Sequence, residues 1–191
     1  MIPEQFGYFT IFISLFGIFF YIKDTLSGKT KPNKVSWLIW MLAPFVGAFL
    51  QWESGAGLSA LVIFMSGFIS LLVLIVSFFN KEAYWKITIL DIICGILAIF
   101  ALVFWVLTKN SFISLLFAIL ADFLGAMPTL IKSWKFPETE TGFEYICSIF
   151  NSILGLLVIK NWIFPIYSFG VYLLIMNFLF VFFIYRKKYG V

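Results

Sequence analysis

The chain has 191 residues, of which 63% are hydrophobic and only 12% charged, with a formal net charge of +4 and a mean hydropathy of +1.07. That composition cannot dress a water-soluble surface, which excludes a soluble domain and leaves an integral membrane protein in contact with the lipid bilayer. Histidine is absent and the acids are scattered, so neither a zinc site nor a Ser/His/Asp triad can be assembled; no enzymatic chemistry and no cofactor are expected.

A spanning helix needs about 20 largely apolar residues. Seven runs qualify as candidates, over residues 6–22, 35–52, 58–79, 87–107, 112–131, 143–159 and 163–185. The first follows Glu4 rather than basic residues and has no small-residue cleavage site before Lys23, so it is expected to stay in the membrane. The second carries Pro44 and the sixth Asn151, which lower their hydropathy. The third carries Ser59, Ser66, Ser70 and Ser77 on one stripe; such small residues let helices pack closely or line a path. The fifth carries Asp122 and Pro128, and the seventh Asn177. No Lys lies within 163–185, which rules out a retinal Schiff base there.

Short loops rich in Lys and Arg stay cytoplasmic. With seven spans, one side holds Lys23, Lys29, Lys31, Lys34, Lys81, Lys86, Lys132, Lys135, Arg186, Lys187 and Lys188, and the other only Lys109 and Lys160. This predicts the N-terminus outside and the C-terminus inside, and it accounts for the positive charge without a nucleic-acid partner. Cys94 and Cys147 share no ligand-like spacing and read as small buried apolar residues.

The polar exit after the first run, Tyr21-Ile22-Lys23 to Thr30, is echoed after the fifth by Leu130-Ile131-Lys132 to Thr139, 109 residues later. At that offset helix ends coincide although few identities do. Two three-helix units in the same orientation need one helix between them to bring the chain back across, so the expected plan is all-α and 3+1+3: residues 1–80 as the first unit, 81–110 as a linker helix and 111–191 as the second unit. Parallel repeats of this kind occur among small transporters, with the substrate site near the midplane between them.

The segment Ala121-Asp122-Phe123-Leu124-Gly125-Ala126-Met127-Pro128-Thr129-Leu130-Ile131-Lys132, followed by Pro137-Glu138-Thr139-Glu140-Thr141-Gly142, resembles a PQ-loop. Such loops mark the SWEET sugar carriers, the lysosomal amino-acid carriers and their relatives. Here Pro128 is followed by Thr129 rather than Gln, and the aligned pair in the first repeat is Phe19-Phe20. In span number and Trp content the chain is also similar to the bacterial PnuC vitamin-precursor carriers. The resemblance covers the whole seven-helix plan and implies transport of a small-molecule solute.

At about 1.5 Å per helical residue, Asp122, Asn151 and Asn177 each lie roughly 12 to 14 Å from the lysine-rich helix ends, close to the middle of a hydrocarbon core about 30 Å thick. Polar groups at that depth should face the bundle interior, as a solute site or as hydrogen-bonding glue between helices. The resemblance favours the site for Asn151 and Asn177, since SWEET carriers use asparagines to meet hydroxyl groups. Asp122 has no Lys or Arg at its level; it reads as a proton-coupling group, a partner for a cationic solute, or a neutral acid bonded to a neighbouring helix. Asp91 is expected to reach the cytoplasmic interface near Lys86. Trp37, Trp52, Trp134 and Trp162 read as interfacial anchors, and Trp40, one turn deeper than Trp37, as a stacking surface. Pro44 and Pro128 each free a carbonyl, making them candidate hinges or fixed kinks; the resemblance favours a hinge at Pro128.

These residues point to an alternating-access transporter for a small polar solute such as a sugar or vitamin precursor, in a bacterial or comparable inner membrane and with proton coupling as an open option. No G-x-x-x-x-G-K-[ST] stretch is present, so any drive would come from the solute gradient or an ion. The alternative is a PQ-loop-type receptor that binds its ligand or cargo without passing it. Nothing in the sequence sets an oligomeric state.

Overall fold

A computed structural model of the chain describes residues 2–79, 86–108 and 110–186. Lys81, Lys109, Lys187 and Lys188, used above in the charge count, lie outside the described residues. A 3-10 turn at Glu4–Tyr8 runs into α1 (Phe9–Leu26), followed by α2 (Lys34–Glu53). A second turn, Gly57–Ser59, leads into α3 (Ala60–Val76), and then come α4 (Ile89–Leu107) and α5 (Ser111–Lys135). A third turn at Pro137–Thr139 precedes α6 (Gly142–Leu157) and α7 (Phe164–Tyr185).

The protein is an all-α polytopic membrane protein, but among the described residues five helices, not seven, are long and apolar enough to cross a bilayer by themselves: Glu4–Leu26, Lys34–Glu53, Gly57–Val76, Phe112–Lys135 and Phe164–Tyr185. The apolar stretch Ile89–Phe104 of α4 and the whole of α6 are shorter. At 16 residues α6 is about 24 Å long, less than the roughly 30 Å of a hydrocarbon core. It opens on Glu144 and carries Asn151, both buried, so its interior face belongs to polar contacts rather than to lipid.

Local chemistry sets the helix ends. Gly28, at φ +78°, makes the left-handed turn that stops α1. The Asn33 side chain caps α2 by accepting from the backbone of Val35 at 3.0 Å and Ser36 at 3.3 Å, and its amide donates to Asp91. Asp91 in turn accepts from the Thr88 backbone at 2.5 Å and its hydroxyl at 2.7 Å at the start of α4. Asp91 is therefore buried and fastens α4 to α2. It does not reach toward water as its nearness to Lys86 suggested, because a neighbouring helix supplies the donors. Asn110 caps α5 in the way Asn33 caps α2, at 3.0 and 3.3 Å.

Packing follows a regular scheme: α3 packs against both α1 and α2, and α7 against both α5 and α6. Across these groups α1 packs on α6 and α2 on α5, while α4 lies against α5 and α2. Glycines make the close approaches possible. A Cβ on Gly17 of α1 would stand 2.7 Å from that of Cys147 on α6, and one on Gly125 of α5 would stand 2.7 Å from that of Ile39 on α2. Gly47 of α2 likewise abuts the Phe169 ring of α7, and Gly155 of α6 abuts Val62 of α3. The inward face is completed by Ile18, Tyr21, Trp37, Met65, Ile69 and Phe180, among others, whereas Phe12, Phe19 and Phe49 stay exposed on the outside.

Gly125→Val forces its methyl groups into Ile39, and overpacking of this kind costs about 1–3 kcal/mol. We expect a lower unfolding midpoint in detergent for that variant and little change for Leu120→Val on the exposed face of α5; equal midpoints for both would show that the α2–α5 crossing yields without cost.

Candidate functional site

The apolar runs bring their few polar residues to one place. A cavity of about 50 Å³ lies inside the bundle. Trp37 and Trp40 of α2 and Ser66 and Ser70 of α3 line one part of it. Asp122 of α5, Glu144, Tyr145 and Ser148 of α6, and Asn177 of α7 line another part, and Ile69, Ala126, Leu173, Met176 and Phe180 complete the wall. A smaller neighbour of about 20 Å³ shares Ser66, Ser148 and Asn177 with it and adds Ser14, Asn151 and Ser152. Each has room for water-sized molecules but not for a monosaccharide in this conformation.

Asp122 is 2% exposed. Its Oδ2 accepts from the Tyr172 hydroxyl at 2.8 Å, while Oδ1 is buried with no hydrogen-bond partner among the described residues. Glu144 has the same character: Oε1 accepts from Ser148 at 2.9 Å, and Oε2 is buried without such a partner. Asn151 donates to Ser14 of α1 at 2.5 Å, and its Oδ1 has no donor among the described residues. Asn177 donates to the Leu173 carbonyl one turn back, at 2.8 Å. Trp40 stands edge-on to Trp37, with centroids 5.1 Å apart, and to Phe180 at 5.4 Å, and Tyr145 stacks on Phe180 at 4.6 Å.

Asp122, Asn177 and Trp40 therefore line one cavity, and Asn151 meets Asn177 in the adjoining one. Pro44 and Pro128 are inside α2 and α5, which run unbroken through them, and neither lines these two cavities. Beside Pro128, the Thr129 hydroxyl donates to Ser36 at 2.7 Å and joins α5 to α2. Trp37 is only 2% exposed, against 66% for Trp52 and 53% for Trp162, and so is a wall of the cavity rather than an interfacial anchor. Tyr21 packs on its other side, at 5.0 Å between centroids.

The lysine-rich end closes over the site through the two polar exits, which pack on each other. Lys31 donates its backbone N–H to the Thr139 carbonyl at 3.0 Å, Thr30 and Thr141 share a hydroxyl bond of 2.5 Å, and Thr141 donates to Asp24 at 2.7 Å. Beneath them Lys132 forms an ion pair with Glu140, both side chains all but inaccessible, and donates to the Lys31 carbonyl at 2.5 Å. Glu140 also accepts from the hydroxyls of Tyr21 at 2.9 Å and Tyr145 at 3.3 Å. Tyr145 thus belongs to the cavity wall and to its closure. Counting Lys132 among loop cations missed this, because α5 runs on to Lys135 and tucks the ammonium under the loop. At the other end Glu4 pairs with Lys160 at 2.5 Å and accepts from the Leu58 N–H at 2.7 Å; Gln51 donates to the Ile166 carbonyl at 2.9 Å.

Sequence reasoning missed Glu144, Tyr145, Tyr172 and Glu140. The signal available for Glu144 was its spacing: it is four residues before Ser148 and seven before Asn151, on one face of a helix. Comparisons with protein-family models, curated proteins and solved structures gave no match to this chain.

Proposed function

We propose that this protein is a small alternating-access transporter for a polar solute, of the SWEET/PQ-loop type and similar in plan to the vitamin-precursor carriers. The observation that carries the reading is a cavity inside the bundle lined in part by buried polar side chains, with hydrogen bonds joining the two halves of the chain near the lysine-rich end and near the opposite one. The helix scheme supports two units, α1–α3 and α5–α7. Exchanging α1 with α5, α2 with α6 and α3 with α7 turns the α1–α6 contact into the α5–α2 contact, and it leaves α4 as the odd helix between residues 81 and 110. On this reading all seven helices cross the bilayer, the shorter α4 and α6 included, in a bacterial inner membrane with the lysine-rich end in the cytoplasm. Pro128 and Pro44 are the candidate hinges, Asn151, Asn177 and Trp40 the solute contacts, and Asp122 the proton-coupling group.

Flux tests the function. Proteoliposomes holding the purified chain should exchange labelled solute with the medium; binding without flux favours a ligand-binding or cargo-sorting receptor instead, a reading that the small closed cavity also suits. Topology is checked separately, in a background carrying Cys94→Ala and Cys147→Ala. Single cysteines at the exposed Glu53 and Asn161 should react with an impermeant thiol reagent in intact cells, and those at the exposed Lys29 and Glu138 should not. The reverse pattern would invert the orientation.

A further inference from the structure

Two carboxyl groups, Asp122 on α5 and Glu144 on α6, line the same cavity, and neither has a cation beside it. Among the described residues that line it there is no Lys or Arg. The buried lysine of the bundle, Lys132, is committed to Glu140 and to the Lys31 carbonyl. Each of the two acids is 3% exposed or less and keeps one buried oxygen without a hydrogen-bond donor, Oδ1 of Asp122 and Oε2 of Glu144. Trp37, Trp40, Tyr145 and Phe180 line the same cavity, packed ring against ring.

Buried carboxyl oxygens without donors are costly in a low-dielectric interior, and the cost is relieved by a proton or by a bound cation. Aromatic rings add attraction for a cation through their negative faces, and a desolvated site strengthens it. An uncharged sugar answers only part of this surface. Its hydroxyls can meet Ser66, Ser70, Ser148 and Asn177, but nothing in it balances two acids. We propose that the solute site selects a small organic cation, of the ammonium or guanidinium class, bound between the Asp122 and Glu144 carboxylates and the Trp40 and Tyr145 rings. Solute and proton then compete for the same two carboxyl groups. The inference rests on the transporter reading for its physiological sense, but it is tested by binding alone.

The test uses the intact purified protein and three cations, methylammonium, guanidinium and choline, followed by tryptophan fluorescence and by titration calorimetry. Urea and 3,3-dimethylbutan-1-ol serve as the uncharged isosteres of guanidinium and choline, and glucose as an uncharged solute. At least one cation should bind about tenfold or more tightly than its isostere or than glucose. That preference should fall about tenfold in Asp122→Asn or Glu144→Gln protein that keeps the elution profile of the parent. Equal binding of cation and isostere, glucose binding with all three cations inert, or no binding by any cation would each overturn the inference. Because the comparison of cation with isostere is made on the unaltered chain, it stands even where a variant fails to fold. Flux of the bound cation in proteoliposomes is scored apart: binding without flux overturns the transporter reading and keeps the cation site, whereas glucose flux with inert cations does the opposite.

Discussion

Replacing Lys132 by Met is expected to destabilise the protein by about 3–5 kcal/mol, because it leaves the Glu140 carboxylate buried without its ion-pair partner. Glu140→Gln strands the ammonium in the same way and deprives the Tyr21 and Tyr145 hydroxyls of a charged acceptor. The double variant Lys132→Met with Glu140→Gln should recover much of the loss, since neither residue is then an unpaired charge. Unfolding midpoints in detergent for the four proteins give the coupling directly. Additive losses would show that the pair is solvated and not the seal described here. A kinetic consequence accompanies the energetic one. In the transporter reading this pair ties the two polar exits together at the lysine-rich end, so the double variant should favour access from that end, read as faster thiol labelling of a cysteine placed at Ser70.

The second large effect is expected at Asp122. The Tyr172 hydroxyl donates to it, and an amide oxygen accepts that bond equally well, so Asp122→Asn should keep the fold. What it cannot keep is a proton that comes and goes. In the same proteoliposomes, at saturating solute, exchange down a solute gradient should persist while accumulation driven by an imposed pH gradient falls to the level of empty liposomes. Equal retention of both activities would remove Asp122 from coupling and leave it as a hydrogen-bond acceptor for Tyr172.

The helices were legible in the sequence because hydropathy is a local property: each apolar run contains the core of one observed helix. Length was less so. Lys132 reads as the end of a span, yet α5 continues to Lys135, since an acid eight residues on neutralises the ammonium inside the fold. The meeting of the two polar exits is not readable from their spacing, whereas depth put Asp122, Asn151 and Asn177 on one level, and the structure brings Asp122 and Asn177 to one cavity and Asn151 to the adjoining one. Trp37, Asp91 and Glu144 were misjudged or passed over for one physical reason. Each is close to a helix end, where a single sequence suggests contact with water or headgroups, and each is buried by an element distant in the chain: Trp37 by Tyr21 of α1, Asp91 by Asn33 and Glu144 against Gly17. Such contacts leave no trace of the partner in the sequence, although the helical spacing of Glu144, Ser148 and Asn151 puts those three on one face.

In the transporter reading, the position of α4 gives the two sides of the bundle different parts in any rocking motion. The seam between α2 and α5 has a third helix laid across it, stitched at its foot by Asn33 and Asp91. The seam between α1 and α6 lies elsewhere, and the helix that touches both of its sides there is α3, from the first three-helix group itself. If the two units rock, the covered seam behaves like the spine of a book and the α1–α6 side like its fore-edge. Asn151 and Ser14 face each other across that fore-edge, so opening on that side would part a bond that a departing solute could replace.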